Sequence, residues 1–188
     1  MATFPQQSYI TVEEYFELCH SDPDTRYEYI DGQVTMLAGG SLNHARIASN
    51  INGALRNHLR GGSCQAFTSD AALQVTATRY VLPDIAVTCD ERDYQDNDYL
   101  QYPSLLFEVL SPSTESADRG RKFAYYRNIP SVREYVLVNS LEVAVELFRR
   151  EKSTFWTLHF FGIDDEITFA SIGVTMSVRE IYENVVFS

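Results

Sequence analysis

Near the middle of the chain, a single acid interrupts an otherwise apolar stretch, Ser104-Leu-Leu-Phe-Glu-Val-Leu110. A continuous apolar run of this length is typical of a central β-strand that is buried on both faces. Burying an ionised carboxylate without partners costs several kcal/mol, so the requirements of folding alone do not favour Glu108 at this place. The stretch therefore predicts a central strand that carries a functional or a paired carboxylate.

Helix and turn patterns elsewhere in the chain predict an α/β protein. Thr11 precedes apolar residues at helical spacing and is expected to cap a first helix. The dipeptide Asp31-Gly32 lies between two alternating segments, which is typical of a β-hairpin, and Glu28 falls on the first strand of that hairpin. Because 188 residues fit one domain better than two, we predict a single domain over residues 1–188.

The charge balance limits the kind of partner that the protein binds. The formal net charge is −11 at pH 7, which argues against a protein that coats nucleic acid through Lys and Arg. It does not exclude an enzyme that meets phosphates through a metal ion and a local basic patch. The chain has two lysines, and one of them, Lys122, lies on a predicted helix together with Arg119, Arg121 and Arg127.

The sequence also indicates the cellular location of the protein and the state of its cysteines. No apolar run approaches the roughly 20 residues that a transmembrane helix needs, and the first residues lack the pattern of a signal peptide. Cys19, Cys64 and Cys89 are odd in number and widely separated, so we expect neither a disulfide framework nor a structural zinc site. We therefore expect a cytoplasmic protein without a membrane anchor.

Three charged residues on predicted strands and a predicted helix suggest a hydrolytic reaction. Asp84 follows a proline at the start of a predicted strand, and Glu108 lies in the central strand. Two carboxylates at the edges of neighbouring strands can hold Mg²⁺, or Mn²⁺, through oxygen ligands alone. The ammonium group of Lys122 would orient a water molecule and offset the charge that grows on a phosphate. Glu28 could supply a further carboxylate, and together these groups predict a site for phosphodiester hydrolysis.

Each of these residues also has a purely structural interpretation. Asp84 could cap a turn after the proline, Glu108 could pair with an arginine, and Lys122 could lie in solvent on a helix surface. Glu28 could be an ordinary charge on a strand face. His44, near the start of the second predicted helix, could contact a substrate phosphate or donate a proton, or it could serve in capping or in the core. The conjunction of these residues is more specific than any one of them.

Motifs over nearly the whole chain resemble those of the Uma-two family, a bacterial family of restriction-endonuclease-like proteins in the PD-(D/E)XK superfamily. The resemblance is carried by residues 9–15, 26–32, 82–87 and 103–114, by Asp118, Lys122 and Tyr126, and by residues 132–138. The stretch Glu108-Val-Leu-Ser-Pro-Ser-Thr114, with the Asp and Lys that follow it, is the most specific part.

This resemblance implies a mixed central sheet flanked by helices, with an αβββαβ core, and Mg²⁺-dependent cleavage of DNA. Asp84 matches the aspartate of the P-D motif, Glu108 matches the second acid, and Glu28 matches an extra acid in the first hairpin. The lysine that the superfamily carries two places after the second acid is replaced here by Leu110. In this family the lysine lies instead on the following helix, where Lys122 is the matching position.

We therefore expect a Mg²⁺-dependent DNA endonuclease. Asp84, Glu108 and the carbonyl of Val109 would hold the ion, with Glu28 assisting directly or through water. Lys122 would position or deprotonate the attacking water. The arginines at 119, 121 and 127 would contact the DNA backbone. Replacing Asp84 or Lys122 by alanine should abolish cleavage and leave folding nearly intact.

Two other functions and one assembly state stay open from the sequence. The net charge and the displaced lysine would also suit a module that keeps the nuclease fold for binding or assembly without turnover. A metallohydrolase acting on a small phosphoester is a third interpretation. The aromatic strand predicted over Phe155–Phe161 could present an apolar face to a second copy, so we expect a dimer.

Overall fold

The computed structural model describes residues 9–95 and 98–187, which form β-sheets covered by helices. The helices are α1 Val12–Ser21, α2 Leu42–His58, α3 Glu115–Ala117, α4 Phe123–Tyr126 and α5 Val178–Ile181. A π-helical turn, Asp118–Lys122, joins α3 to α4, and a 3₁₀ turn covers Glu91–Tyr94. The first strands are β1 Tyr27–Ile30, β2 Gln33–Met36, β3 Gln65–Thr68, β4 Ala72–Thr76, β5 Arg79–Val81, β6 Ile85–Thr88 and β7 Tyr99–Leu100. The others are β8 Pro103–Leu110, β9 Glu134–Asn139, β10 Val145–Arg150, β11 Trp156–Phe161, β12 Glu166–Phe169 and β13 Val174–Ser177.

The largest sheet has six strands in the order β11-β10-β9-β8-β6-β3. Strands β3, β6 and β8 are antiparallel neighbours, whereas β8 and β9 are parallel and are connected through the α3–α4 helical segment. Together with α2, these elements give the order α2-β3-β6-β8-helix-β9, which is the expected αβββαβ core. The prediction of a mixed sheet flanked by helices is therefore confirmed.

Strand β8 lies near the centre of this sheet and is buried on both faces. Leu105, Phe107 and Val109 point to a core that also contains the apolar residues of α2. Leu106 and Leu110 belong to the opposite core, which includes residues of α4 and β9. Because side chains alternate along a strand, Glu108 lies on the second face, beneath the helix that follows β8.

A five-stranded sheet, β2-β1-β5-β4-β7, brings the first hairpin to the same region. Asp31 and Gly32 have φ angles of 49° and 91°, so the hairpin turn has the two positive φ values that Asp-Gly favours. Thr11 caps α1 and forms a reciprocal capping box with Glu14. In the residues that the structure describes, no helix combines the length and apolar composition needed to cross a membrane.

One disulfide corrects the expectation that the cysteines stay unpaired. Cys64 and Cys89 are bonded to each other, whereas Cys19 is free. The antiparallel register of β3 and β6 pairs Gln65 with Thr88, so the two cysteines are the next residues in opposite directions and face each other. The sequence shows only that they are 25 residues apart, and the strand pairing that brings them together is not visible in their spacing.

We expect this disulfide to contribute to stability. Closing a loop of about 25 residues restricts the unfolded chain by about 3 kcal/mol, so reduction should lower the free energy of unfolding by a similar amount. Urea unfolding with and without dithiothreitol measures the difference, and Cys89→Ser should unfold identically in both conditions. Superimposable curves for the oxidised and reduced parent protein would contradict the expected contribution.

Candidate active site

Asp84 and Glu108 lie next to each other across two antiparallel strands. The register pairs Ile85 with Phe107, so one further step places Asp84 opposite Glu108, just before the start of β6. Asp84 Oδ2 accepts a hydrogen bond of 2.7 Å from the backbone N–H of Val109. The N–H and the carbonyl of one strand residue point to the same side of the strand, so the Val109 carbonyl is also directed towards the Asp84 side.

Glu108 is almost completely buried, with 2% of its surface exposed, but its carboxylate is not isolated. Its Oε1 accepts a hydrogen bond of 3.0 Å from Lys122 Nζ and another of 2.7 Å from the hydroxyl of Tyr126. Both donors come from the helical segment that packs on β8. The one acid in the apolar strand therefore has both a cationic and a neutral partner.

Lys122 is surrounded by carboxylates. Besides its contact with Glu108, its Nζ lies 3.4 Å from Glu28 Oε1 and 3.5 Å from Asp118 Oδ1. Only 11% of the lysine side chain is exposed. Lys122 and Glu108 are 14 positions apart in the sequence, and the π-helical turn folds back over β8 so that their side chains meet. A π-helical turn is rare and is often found at functional sites.

Glu28 enters the site from the first hairpin. The side chain of Glu28 is buried, and its Oε1 accepts a hydrogen bond of 3.2 Å from the backbone N–H of Leu82 as well as facing Lys122. Leu82 lies two residues before Asp84, so Glu28 links the five-stranded sheet to the segment that carries this acid. The structure thus brings Glu28, Asp84, Glu108 and Lys122 together.

His44 stands beside Asp84 at the start of α2. Its Nε2 is 3.3 Å from Asp84 Oδ2, and Ser41 caps the helix by accepting a hydrogen bond from the His44 N–H. A Cβ atom on Gly40 would lie 2.7 Å from the imidazole ring, so the absence of a side chain there makes room for His44. The hydrogen bond with Asp84 raises the pKa of His44 above its ordinary value.

A cavity of about 460 Å³ that is partly open to solvent lies at this place. Asp84, Glu108, Asp118, Lys122 and His44 all contribute to its wall. The arginines expected to contact DNA do not line it. Their positions differ: Arg119 is held by Glu115 and Glu146 at 2.7 Å each, and Arg121 and Arg127 are exposed on the helical segment.

The site holds more negative than positive charge. Burial raises the pKa of Glu108 to about 8, although Lys122 acts in the opposite direction. Burial also raises the pKa of Asp118. Burial alone would lower the pKa of Lys122, but Glu108, Glu28 and Asp118 outweigh it, so the pKa of Lys122 is raised and its amine stays protonated. The carboxyl groups of Glu108, Glu28 and Asp118 therefore contact the ammonium group of Lys122, and Asp84 lies opposite Glu108.

Two charged residues of the cavity wall had no predicted role. Asp118 is buried, and its Oδ1 has no hydrogen-bond partner other than the ion-pair contact with Lys122. Its position four residues before Lys122, within the motif that carries the family resemblance, could have indicated this contact. Arg26 also lines the cavity; it begins the motif at residues 26–32, but no role was predicted for it from the sequence.

Comparison with known proteins assigns the family. Residues 12–178 match the family model Uma2, described as "Putative restriction endonuclease". The chain belongs to the Uma2 family. It is 37% identical over 187 residues to the uncharacterised protein slr1290 of Synechocystis sp., covering 99% of this chain and 96% of that protein. It is 31% identical over 165 residues to sll1609 of the same organism, covering 86% and 93%.

A crystal structure shares the fold of this Uma2 protein. It is that of a "putative nuclease belonging to DUF820" from Anabaena variabilis, with a TM-score of 0.75 and 18% sequence identity. The similarity covers 94% of this chain and 99% of the other. The resemblance inferred from the sequence motifs is thus confirmed, and so is the fold class.

The raised pKa of Glu108 predicts a pH-dependent stability in the presence of a chelator. The folded protein holds a proton at Glu108 up to about pH 8, whereas the ordinary pKa is 4.5. The associated stability is complete below the ordinary pKa and is lost as the pH rises through the folded value. We expect the free energy of unfolding to decrease over this range, by a smaller amount in Glu108→Gln. Urea unfolding at a series of pH values measures this, and parallel profiles for parent and variant would refute the assignment.

Proposed function

We propose that this Uma2 protein is a Mg²⁺-dependent DNA endonuclease that hydrolyses phosphodiester bonds. The observation that carries the proposal is the contact of Lys122 Nζ with Glu108, beside Asp84, in the wall of an open cavity. An ammonium group next to two carboxylates at neighbouring inner strands of the sheet combines a place for a divalent ion with a group that acts on water. The description of the family model, "Putative restriction endonuclease", supports the choice of nucleic acid as substrate.

The donor set suits a hard cation. Asp84 and Glu108 offer carboxylate oxygens from neighbouring strands, and the Val109 carbonyl is directed to the same side. Over residues 9–95 and 98–187, no cluster of three or more His, Cys, Asp or Glu side chains is arranged as a metal site. A bound ion would therefore keep several water ligands, which Mg²⁺ does and a structural zinc site does not. When bound, the ion would supply Lewis-acid stabilisation of the phosphate.

The residues of the chain have separate tasks in this mechanism. Lys122, held protonated by three carboxylates, donates hydrogen bonds that orient the attacking water and offset the charge of the phosphate in the transition state. Its raised pKa favours these tasks over deprotonation of the water. Asp118 and Glu28 hold the ammonium group in place, and Tyr126 fixes the carboxylate of Glu108.

DNA contacts outside the cleavage centre follow from the positions of the other cations. His44 faces the cavity next to Asp84 and is placed to contact a phosphate oxygen. Arg121 and Arg127 are exposed on the helical segment that carries Lys122 and can contact the DNA backbone. Arg119 is less suited to this role because its guanidinium group is already bound by Glu115 and Glu146.

Association of two copies stays a prediction. Strand β11 is at the edge of the six-stranded sheet, and Leu158 and Phe160 on it are 41% and 72% exposed. An edge strand with exposed apolar side chains is suited to pairing with another strand. A second copy joined along β11 would give the assembly two active sites, which suits cleavage of both strands of DNA.

Cleavage assays test the proposed activity. We expect the parent protein to cut plasmid and linear DNA in Mg²⁺ and to be inactive with a chelator. Replacing Asp84 by Asn should reduce the rate by about 100-fold or more, since losing even an indirect metal contact costs about 10–100-fold. Asp84→Asn removes one of the repelling carboxylates, so the variant should remain folded.

Asp164→Asn is a matched control, because Asp164 is exposed and pairs with Arg179 outside the cavity. It should cleave at the parental rate.

Replacing Lys122 by Ala or Gln tests the mechanism less directly than the sequence alone suggests. Removing this cation leaves buried carboxylates without a partner, which costs roughly 3–5 kcal/mol of folding free energy. A parent that binds DNA but does not cut it under any metal condition would favour the inactive binding module.

A further inference from the structure

Arg26 is a cation in the wall of the active-site cavity whose charge no carboxylate neutralises. It lies just before β1, is partly buried, and lines the cavity. Its Nη1 donates a hydrogen bond of 2.7 Å to Ser69 Oγ. In the described part of the chain it forms no ion pair, whereas Arg79, Arg119 and Arg149 each bind a carboxylate.

The other cations of the cavity are already engaged. The ammonium group of Lys122 is shared among three carboxylates, and His44 is bound to Asp84. The charge of Arg26 reaches this region, since it opposes the increase in the pKa of His44 that Asp84 causes. Among the described residues, Arg26 is therefore the cavity-lining cation that has no carboxylate partner of its own.

We propose that Arg26 binds a phosphate oxygen of the DNA strand that enters the cavity, an assignment that rests on the proposed function. A guanidinium group presents five N–H donors in a planar fork, which matches the oxygens of a phosphate. The hydrogen bond to Ser69 uses one side of this fork and fixes its direction. Arg26 is thus a substrate-binding residue, and Ser69 is a positioning residue that acts through it.

The salt dependence of DNA binding distinguishes this role from a structural one. Each neutralised phosphate of duplex DNA contributes about 0.9 to the slope of log K against log salt concentration. We expect Arg26→Gln to bind a short fluorescent duplex about 10–100-fold more weakly and to lose about one unit of slope. Arg26→Lys should retain the slope but bind more weakly than the parent, because the planar fork is lost. Binding is measured in Ca²⁺, with intact DNA verified on a gel.

Arg60→Gln is the matched control. Arg60 is exposed beyond the end of α2, roughly 25 Å along the helix axis from His44, and should leave both affinity and slope unchanged. Thermal unfolding verifies that each variant is folded. Ser69→Ala should raise KM with little effect on kcat.

The outcomes separate this inference from the proposed function. If the parent binds and cleaves DNA while Arg26→Gln keeps parental affinity and slope, the assignment of Arg26 is wrong and the endonuclease proposal stands. A weaker affinity with an unchanged slope would show a structural role and would also overturn the assignment. A folded parent that neither binds nor cleaves DNA would overturn the proposed function and this inference with it.

Discussion

The contact between Lys122 and Glu108 determines where the site lies. Glu108 is buried on the face of β8 that the following helix covers, so its carboxyl group requires hydrogen-bond partners from that helix. The π-helical turn delivers the ammonium group to within 3.0 Å of the carboxylate, and Tyr126 completes the contact from the next turn. The same ammonium group then draws in Glu28 from the first hairpin, so that two sheets contribute to one cavity.

The site holds four carboxyl groups, those of Glu28, Asp84, Glu108 and Asp118, against the positive charges of Lys122 and Arg26. Like charges close together in a buried place either retain a proton or bind a cation, and the raised pKa of Glu108 reports the first alternative. A divalent ion bound between Asp84 and Glu108 would be the cation of the second alternative, and it would displace the proton from Glu108. The excess negative charge of the site therefore affects substrate binding, because a phosphate approaches the carboxylates only when their charge is neutralised. Arg26 would offer such a phosphate a separate cationic contact.

Local features of the fold could be predicted from the sequence, whereas features that depend on strand pairing could not. The central strand, the Asp-Gly turn and the helix caps follow from nearest-neighbour patterns and are present. The β12–β13 hairpin was not predicted, because its two short strands lack a two-residue turn pattern. The approach of Asp84 to Glu108 and the bond between Cys64 and Cys89 both arise from antiparallel register. The pairing of Arg119 with acids on a distant strand likewise required the folded chain.

Calorimetric titration with Mg²⁺ or Mn²⁺ tests the central claim most directly, namely that these carboxylates form a cation site around the lysine. Repeating it near pH 7 in buffers of different ionisation enthalpy counts the protons released on binding. The account predicts one ion per chain, bound with release of a proton, and loss of both signals in Asp84→Asn. A folded parent that binds no divalent ion, or an Asp84→Asn variant that binds it equally well, would contradict the account.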